Sequence, residues 1–450
     1  MRNITMSLRN VLKNNSVSNS IFQMVTQVQA GKLLRCRHQW KQIQYERLAA
    51  ILTYAKNHSR YFHDIIGDHL VTVETAESVL KKMPMLTKDI IREKQFDIYS
   101  DETGIDWKVW GNTGGSTGEP LRFPRKSSVF HNEGVSQLIT YNYLSKEREL
   151  SYRDTIVSIS GERVPEEKKK KNIFWVEGGN FPWGKYRYST LDMTAHNLAY
   201  YVKHFLKVKP SFIRGYSAGV LTFAQYIEKH QIAIDFKIKG IYLTSEAFSE
   251  SSRQYISKVF NCPVIGQYGH TEMSVYAIQH ITDSIYECLP FYGYTEILDE
   301  NGNQVHLGET GEIVVTGFNQ IGMPFIRYKT GDLATYRGIK EDGSVLIDAI
   351  QGRTVDFLYD RKKEKVFLTG AIFGGHIKAF NHIAQWQLVQ DEVGIVTVYI
   401  IKGQSYDETI EKEVINFFEG FNIEARIEYV NEIKKQKNGK QKFLIQTVNL

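Results

Sequence analysis

Apolar positions follow two rhythms along the chain. From 40 to 66 they recur at helical spacing, with Ile43, Leu48, Ile51, Leu52 and Ala55 followed by Tyr61 and Phe62. That spacing predicts an early helical region built for packing rather than chemistry. From about Val109 the rhythm changes to short apolar runs separated by amphipathic stretches, at 155–160, 211–214, 240–244, 263–267 and 311–316. Strands separated by helices predict an α/β fold. Between Tyr292 and Asp348 the turns Asp299-Glu-Asn-Gly302 and Glu341-Asp-Gly343 punctuate β-branched runs, so a smaller β-rich subdomain is expected there. After Gly352-Arg353 the pattern restarts with a strand at 365–368, a helix at 375–383, a strand at 395–401, a helix at 406–418 and a last strand at 425–430. This predicts a large domain over 1–352 and a small, self-contained α+β domain over 353–450.

Length agrees with that division, because 450 residues exceed one ordinary core. The net charge of +6 is the small difference between 56 basic and 50 acidic residues, which gives little reason to expect a nucleic-acid partner. The basic runs Lys168 to Lys171 and Lys434, Lys435, Lys437, Lys440, Lys442 read first as solvated faces. Cys36, Cys262 and Cys288 lie far apart without CxxC spacing, which argues against both a disulfide framework and a structural zinc site and makes a reducing cytoplasm the default location. No apolar run is long enough for a signal core or for the roughly 18 residues of a membrane span, so no integral membrane association is expected.

Candidate chemistry begins at Gly111-Asn-Thr-Gly-Gly-Ser-Thr-Gly-Glu-Pro120, a glycine-rich loop that follows a short apolar strand. Glycine permits positive φ and close backbone approach, so such a loop can aim N–H groups and hydroxyls at a polyanion. It lacks the GxxxxGK[ST] spacing of a Walker loop, and alone it is equally an ordinary surface turn. Downstream come Gly266-Gln-Tyr-Gly-His-Thr-Glu-Met273 after an apolar strand, Met323-Pro-Phe-Ile-Arg-Tyr-Lys-Thr-Gly-Asp332, and Gln351-Gly-Arg353 at the start of the terminal unit.

These four segments, in this order, resemble the adenylate-forming superfamily of acyl-CoA synthetases, peptide-synthetase adenylation domains and luciferases. The TGGSTGEP and MPFIRYKTGD forms are most similar to the phenylacetate coenzyme A ligase branch, including its relatives encoded with capsular polysaccharide genes. The resemblance runs from Met85-Leu-Thr-Lys88 to Asn438-Gly-Lys440. It implies Mg-ATP-dependent activation of a carboxylic acid as acyl-AMP, with coenzyme A as the expected second substrate and a mobile C-terminal domain.

By the same resemblance, Thr113, Ser116 and Thr117 contact the ATP phosphates while Gly114, Gly115 and Gly118 let the loop wrap them. Ser245, Glu246 and Ala247 line the adenine through their backbone. Tyr268, next to Gly269, lies against the adenine plane; Thr271 bonds phosphate; Glu272 holds Mg2+, a hard cation that takes one or two protein carboxylates and keeps much of its water. Asp332 accepts the ribose hydroxyls, Arg353 pairs with ribose or phosphate oxygens, and Lys440 reaches the carboxylate and α-phosphate from the terminal domain. Plainer readings exist: Asp332 as a turn residue, Arg353 as linker, and Glu272 as the cap of a following helix. Two positions depart from the family pattern, Glu119 where many members carry lysine, and Val355 at the hinge position, with Asp356 one residue later.

Gly215-Tyr-Ser-Ala-Gly219 also matches GxSxG between a predicted strand and a predicted helix, the context of a hydrolase nucleophile elbow at Ser217. No HGGG-type segment precedes it, and a hydrolase would leave the glycine-rich loop and the terminal domain without a role. Ser217 therefore reads better as a helix cap. A nucleotide-binding protein without catalysis is the third alternative. The acid is not legible: Trp175, Phe181, Trp183, Tyr186 and Tyr188 form either an aryl pocket, making the acid aromatic, or packed core. The acceptor is coenzyme A, an amine or a sugar.

Overall fold

The computed structural model describes residues 16–102, 109–112, 121–126, 129–145, 154–178, 182–351, 357–367, 383–403, 406–434 and 444–448. Its contacts divide the chain into two compact units. The first is Met1–Ile156, Gly178–Lys185 and Ile265–Ile350; the second is Val157–Glu177, Tyr186–Val264 and Gln351–Leu450.

In the first unit the early helical region is two helices, Trp40–His58 and Arg60–Ile66. They part at Ser59, whose backbone is extended and whose hydroxyl donates to the carbonyl of Asp97 at 3.0 Å. Thr87 caps the next long helix, Lys88–Ile98, by accepting from the Ile90 amide at 3.2 Å. Leu48, Leu52, Ala55, Ile66 and Leu80 bury one face of this layer against Ile297, Ile313, Val315, Phe325 and Ile347. Those partners belong to the β-rich region, where Gly293–Leu298, Thr310–Gly317 and Tyr328–Ile339 run antiparallel as neighbours. Tyr276–Gln279 pairs antiparallel with the end of Val264–Gly269 and with Tyr286–Cys288. A separate two-stranded hairpin, Val109–Asn112 with Arg122–Arg125, frames the glycine-rich loop.

The second unit holds parallel strands with helices against them. Ile156–Ser160 pairs with Tyr186–Ser189, and Phe212–Tyr216 pairs with Gly240–Thr244, both parallel. Val157, Ile159, Ile213, Ile241 and Leu243 point to one face and pack against Phe205, Phe223, Ala224 and Ile256 of the helices Leu198–Val208, Ser217–Lys229 and Glu250–Phe260. All five residues of Gly240–Thr244 are buried, as a parallel strand covered on both faces requires. Of the aromatic cluster, Tyr188 is fully buried and Trp175 stacks on His204 with centroids 4.0 Å apart. These two rings pack with this core; Phe181 lies outside the described residues.

The same unit carries a four-stranded terminal sheet in the order Glu424–Tyr429, Ile395–Lys402, Ile383–Glu392, Leu444–Gln446. Helix Glu408–Glu419 packs Ile410, Val414 and Phe418 into a cluster with Val396, Val398 and Ile400. Asp407 caps it, accepting from the amides of Thr409 and Ile410 at 2.8 and 3.2 Å. The helix expected at 375–383 is corrected at its end, because Ile383 opens a strand; 375–382 lie outside the described residues. That strand was hidden by its glutamines. Gln390 is fully buried and works as extra backbone, accepting from the Tyr359 amide and donating to the Tyr359 carbonyl, both at 2.8 Å. Together the units make the expected mixed α/β protein, sheet-rich in its N-terminal part and closed by an α+β C-terminal region. Among the described residues no helix is long and apolar enough to cross a membrane.

Candidate active site

Strand Val264–Gly269 delivers Tyr268 and then turns at His270 to Val275 before the next strand, Tyr276–Gln279. No helix begins after Glu272, so the reading of that residue as a helix cap is corrected: the turn joins two strands, and Met273 within it adopts φ 54°. Glu272 is 5% exposed. The Tyr328 hydroxyl donates to its Oε1 at 3.0 Å, and His270 Nδ1 stands 3.1 Å from Oε2. That contact has ion-pair distance without hydrogen-bond alignment, and neither ring nitrogen of His270 has a hydrogen-bond partner among the described residues. Burial pushes the Glu272 pKa up, but the His270 charge, the turn's own amide and the Tyr328 hydroxyl outweigh it and hold the carboxyl at about 2. Glu272 is therefore a buried carboxylate that stays ionised down to about pH 2.

Tyr268 and Asp332 meet in the same unit. The Tyr268 hydroxyl donates to Asp332 Oδ2 at 2.8 Å, and burial followed by the Asp332 charge raises the phenol well above its usual range. Asp332 is set by a bulge within the strand Tyr328–Ile339: its amide donates to Thr330 Oγ1 at 3.1 Å, Thr330 donates to the Ile313 carbonyl at 2.7 Å, and Gly331 adopts φ 80°. A side chain at Gly331 would be strained in that conformation. Gly269 is confined for another reason, since a Cβ there would sit 2.8 Å from Gln267 Nε2 and 3.1 Å from the Val275 carbonyl. Thr271 accepts from Arg125 Nη2 through its carbonyl. Tyr268, Gly269, Thr271, Glu272 and Asp332 thus all lie in the first unit, where Tyr268 meets Asp332, Glu272 meets Tyr328 and His270, and Thr271 meets Arg125.

Arg327, in the same conspicuous string as Asp332, serves the fold. Its guanidinium pairs with buried Glu296 at 3.1 Å and donates to the carbonyls of Lys81 and Met83 at 3.1 and 2.8 Å. Its amide donates to Thr316 Oγ1 at 3.0 Å from a backbone at φ 46°.

Ser245, Glu246 and Ala247 belong to the second unit, just past strand Gly240–Thr244, with Ser245 at φ 70°. Non-glycine residues hold such a conformation only where their surroundings impose it. Ser217 is not the cap of its helix; Tyr216 occupies the cap position and the cap is Glu246, whose Oε2 accepts from the Ala218 amide at 3.0 Å. Ser217 itself donates to the Ala247 carbonyl at 3.1 Å and lies 3.3 Å from Glu246. Its proton is directed at a carbonyl and a carboxylate, whereas a nucleophile elbow directs it at an imidazole. Thr113, Gly114, Gly115, Ser116, Thr117, Gly118, Arg353 and Lys440 lie outside the described residues.

Comparison with known proteins bears on this arrangement. Residues 358–447 match the family model of the CapK C-terminal domain. Over 428 residues the chain is 28% identical to Protein CapK of Staphylococcus aureus, covering 90% of this chain and 89% of that protein. Among solved structures, 2-hydroxyisobutyryl-CoA ligase in its postadenylation state with R3-HIB-AMP superposes with a TM-score of 0.65 at 15% identity, over 90% of this chain and 89% of that one. The chain has the adenylate-forming fold. The GH3.15 acyl acid amido synthetase shares it, with a TM-score of 0.59 at 14% identity over 89% and 88% of the two chains.

Proposed function

We propose that this protein uses ATP to activate a small carboxylic acid as its acyl-AMP, releasing pyrophosphate, and then passes the acyl group to coenzyme A. The reading is carried by Glu272, a buried carboxylate kept ionised by His270 and Tyr328, in the unit that also holds the Tyr268–Asp332 pair. Among the described residues no group of three or more His, Cys, Asp or Glu side chains could cage a metal ion. Glu272 is the residue that would hold Mg2+, a hard cation that takes one or two protein carboxylates. When bound there, Mg2+ supplies charge neutralisation at the phosphates.

In the first step a carboxylate oxygen bonds to the α-phosphorus, the bond to the β-phosphate oxygen breaks, and pyrophosphate departs. In the second, the thiol gives its proton to solvent, its sulfur bonds to the acyl carbon, the bond from that carbon to the phosphate oxygen breaks, and AMP leaves. Positioning and charge placement supply most of the acceleration in such chemistry. Thr113, Gly114, Gly115, Ser116, Thr117 and Gly118 are assigned to the phosphates, Ser245 to Ala247 and Tyr268 to adenine, Asp332 and Arg353 to ribose, and Lys440 to the reacting carboxylate. A domain over 353–450 that turns between the two steps completes the proposal, with action in the cytoplasm on a precursor of capsule or other surface polysaccharide. An amine or a sugar is the alternative acceptor, in keeping with the amido synthetase among the structural relatives. Pyrophosphate release from ATP across a panel of carboxylic acids, with and without coenzyme A, tests the reaction. A strictly acid-dependent signal is expected; release of orthophosphate would refute it.

A further inference from the structure

Arg125 closes the strand Arg122–Arg125 and is 7% exposed. Nη2 donates to the Thr271 carbonyl, and the Glu272, Tyr292 and Glu133 side chains supply the nearby negative charge and dipoles. Its Nε is buried with no hydrogen-bond partner among the described residues. Arg327, by contrast, has donors of all three guanidinium nitrogens engaged by Glu296, Lys81 and Met83. A buried guanidinium is costly to desolvate, and one with a donor left over is not explained by packing alone.

Gly111 explains how Arg125 gets there. It pairs with Phe123 across the hairpin, and a Cβ at 111 would fall on Arg125, 2.7 Å from Cζ, and 2.6 Å from Phe123 Cζ. Only glycine lets the guanidinium lie against the backbone of Val109–Asn112 while Nη2 reaches Thr271. One side chain therefore bridges the hairpin and the Thr271–Glu272 turn, and a planar fork holds such a bridge with a defined direction that a lysine ammonium lacks.

We propose that Arg125 is a positioning residue of the ATP site, fastening the hairpin Val109–Asn112 with Arg122–Arg125 to the Thr271–Glu272 turn so that the Glu272 carboxylate is held where Mg-ATP would bind. The proposal rests on the adenylating reading above. It is tested on the full-length protein by calorimetric titration with ATP at several Mg2+ concentrations, alongside melting curves and acid-dependent pyrophosphate release, for Arg125→Met, Arg125→Lys and Gly111→Ala. Arg125→Met is expected to weaken Mg-ATP binding about 10- to 100-fold, to flatten its Mg2+ dependence and to raise KM for ATP while leaving KM for the acid unchanged. Gly111→Ala, which alters no charge, reproduces the loss by displacing the guanidinium, and Arg125→Lys falls between. Folded variants that bind Mg-ATP as the parent does overturn the proposal; if Arg125→Met does not fold, Arg125→Lys and Gly111→Ala are read by the same criterion. A parent that binds Mg-ATP yet releases no pyrophosphate with any acid sinks the reaction, while the affinities still decide the role of Arg125.

Discussion

Glu272 and Glu296 are buried equally, each 5% exposed, yet their environments drive them apart. Burial raises the Glu296 carboxyl despite its pair with Arg327, while His270 and Tyr328 overcome burial at Glu272 and take it from 4.5 to about 2. Because the folded-state pKa lies below the unfolded one, Glu272 contributes stability that is full above about pH 4.5 and is lost as pH falls toward about 2. Glu272→Gln should therefore make stability less pH-dependent in that window, measured by chemical denaturation at stepped pH, and should slow adenylation on the order of 10²-fold with a weakened Mg2+ response. A mutant with the parent's Mg2+ dependence would show that the metal role is misplaced. Arg327→Met should do the reverse, costing about 3–5 kcal/mol of folding stability by stranding Glu296. Its nucleotide affinity, measured where the protein is still folded, should remain close to the parent's.

Elements were legible where burial is continuous. The run Gly240–Thr244 is apolar along its length and emerges as a buried parallel strand, and the turns at Asp299–Gly302 and Glu341–Gly343 punctuate strands as their residues require. What could not be read are contacts that only folding creates: Arg125 and Thr271 are 146 positions apart, Tyr328 and Glu272 are 56 apart, and nothing local marks either pair. The cap of helix Ser217–Lys229 is of the same kind, since the serine at the expected position gives way to Glu246, 28 positions from the amide it caps. Glu246→Ala should cost about 1 kcal/mol in thermal unfolding, the ordinary value of an N-cap. Ser217→Ala should leave acyl-AMP formation within a few-fold of the parent; loss of an esterase activity present in the parent would return the molecule to the hydrolase class.

At the scale of the whole molecule the proposed chemistry is two half-reactions served by one chain, with Lys440 assigned to the first. A lysine there can hold the carboxylate and α-phosphate together while negative charge builds. Lys440→Ala should lower acyl-AMP formation about 10²- to 10³-fold and spare thioester formation from acyl-AMP supplied ready-made, whereas Lys437→Ala should do little. Equal, mild losses from all the tail lysines would mark the run as a solvated face, and a loss confined to Lys442→Ala would move the role to that residue. The most direct test of the central claim is simpler: incubate the purified protein with ATP, Mg2+ and a panel of carboxylic acids, and identify the phosphate product. Pyrophosphate and AMP formed only when a suitable acid is present is the predicted result; orthophosphate, or nucleotide bound but never cleaved with any acid, would contradict it.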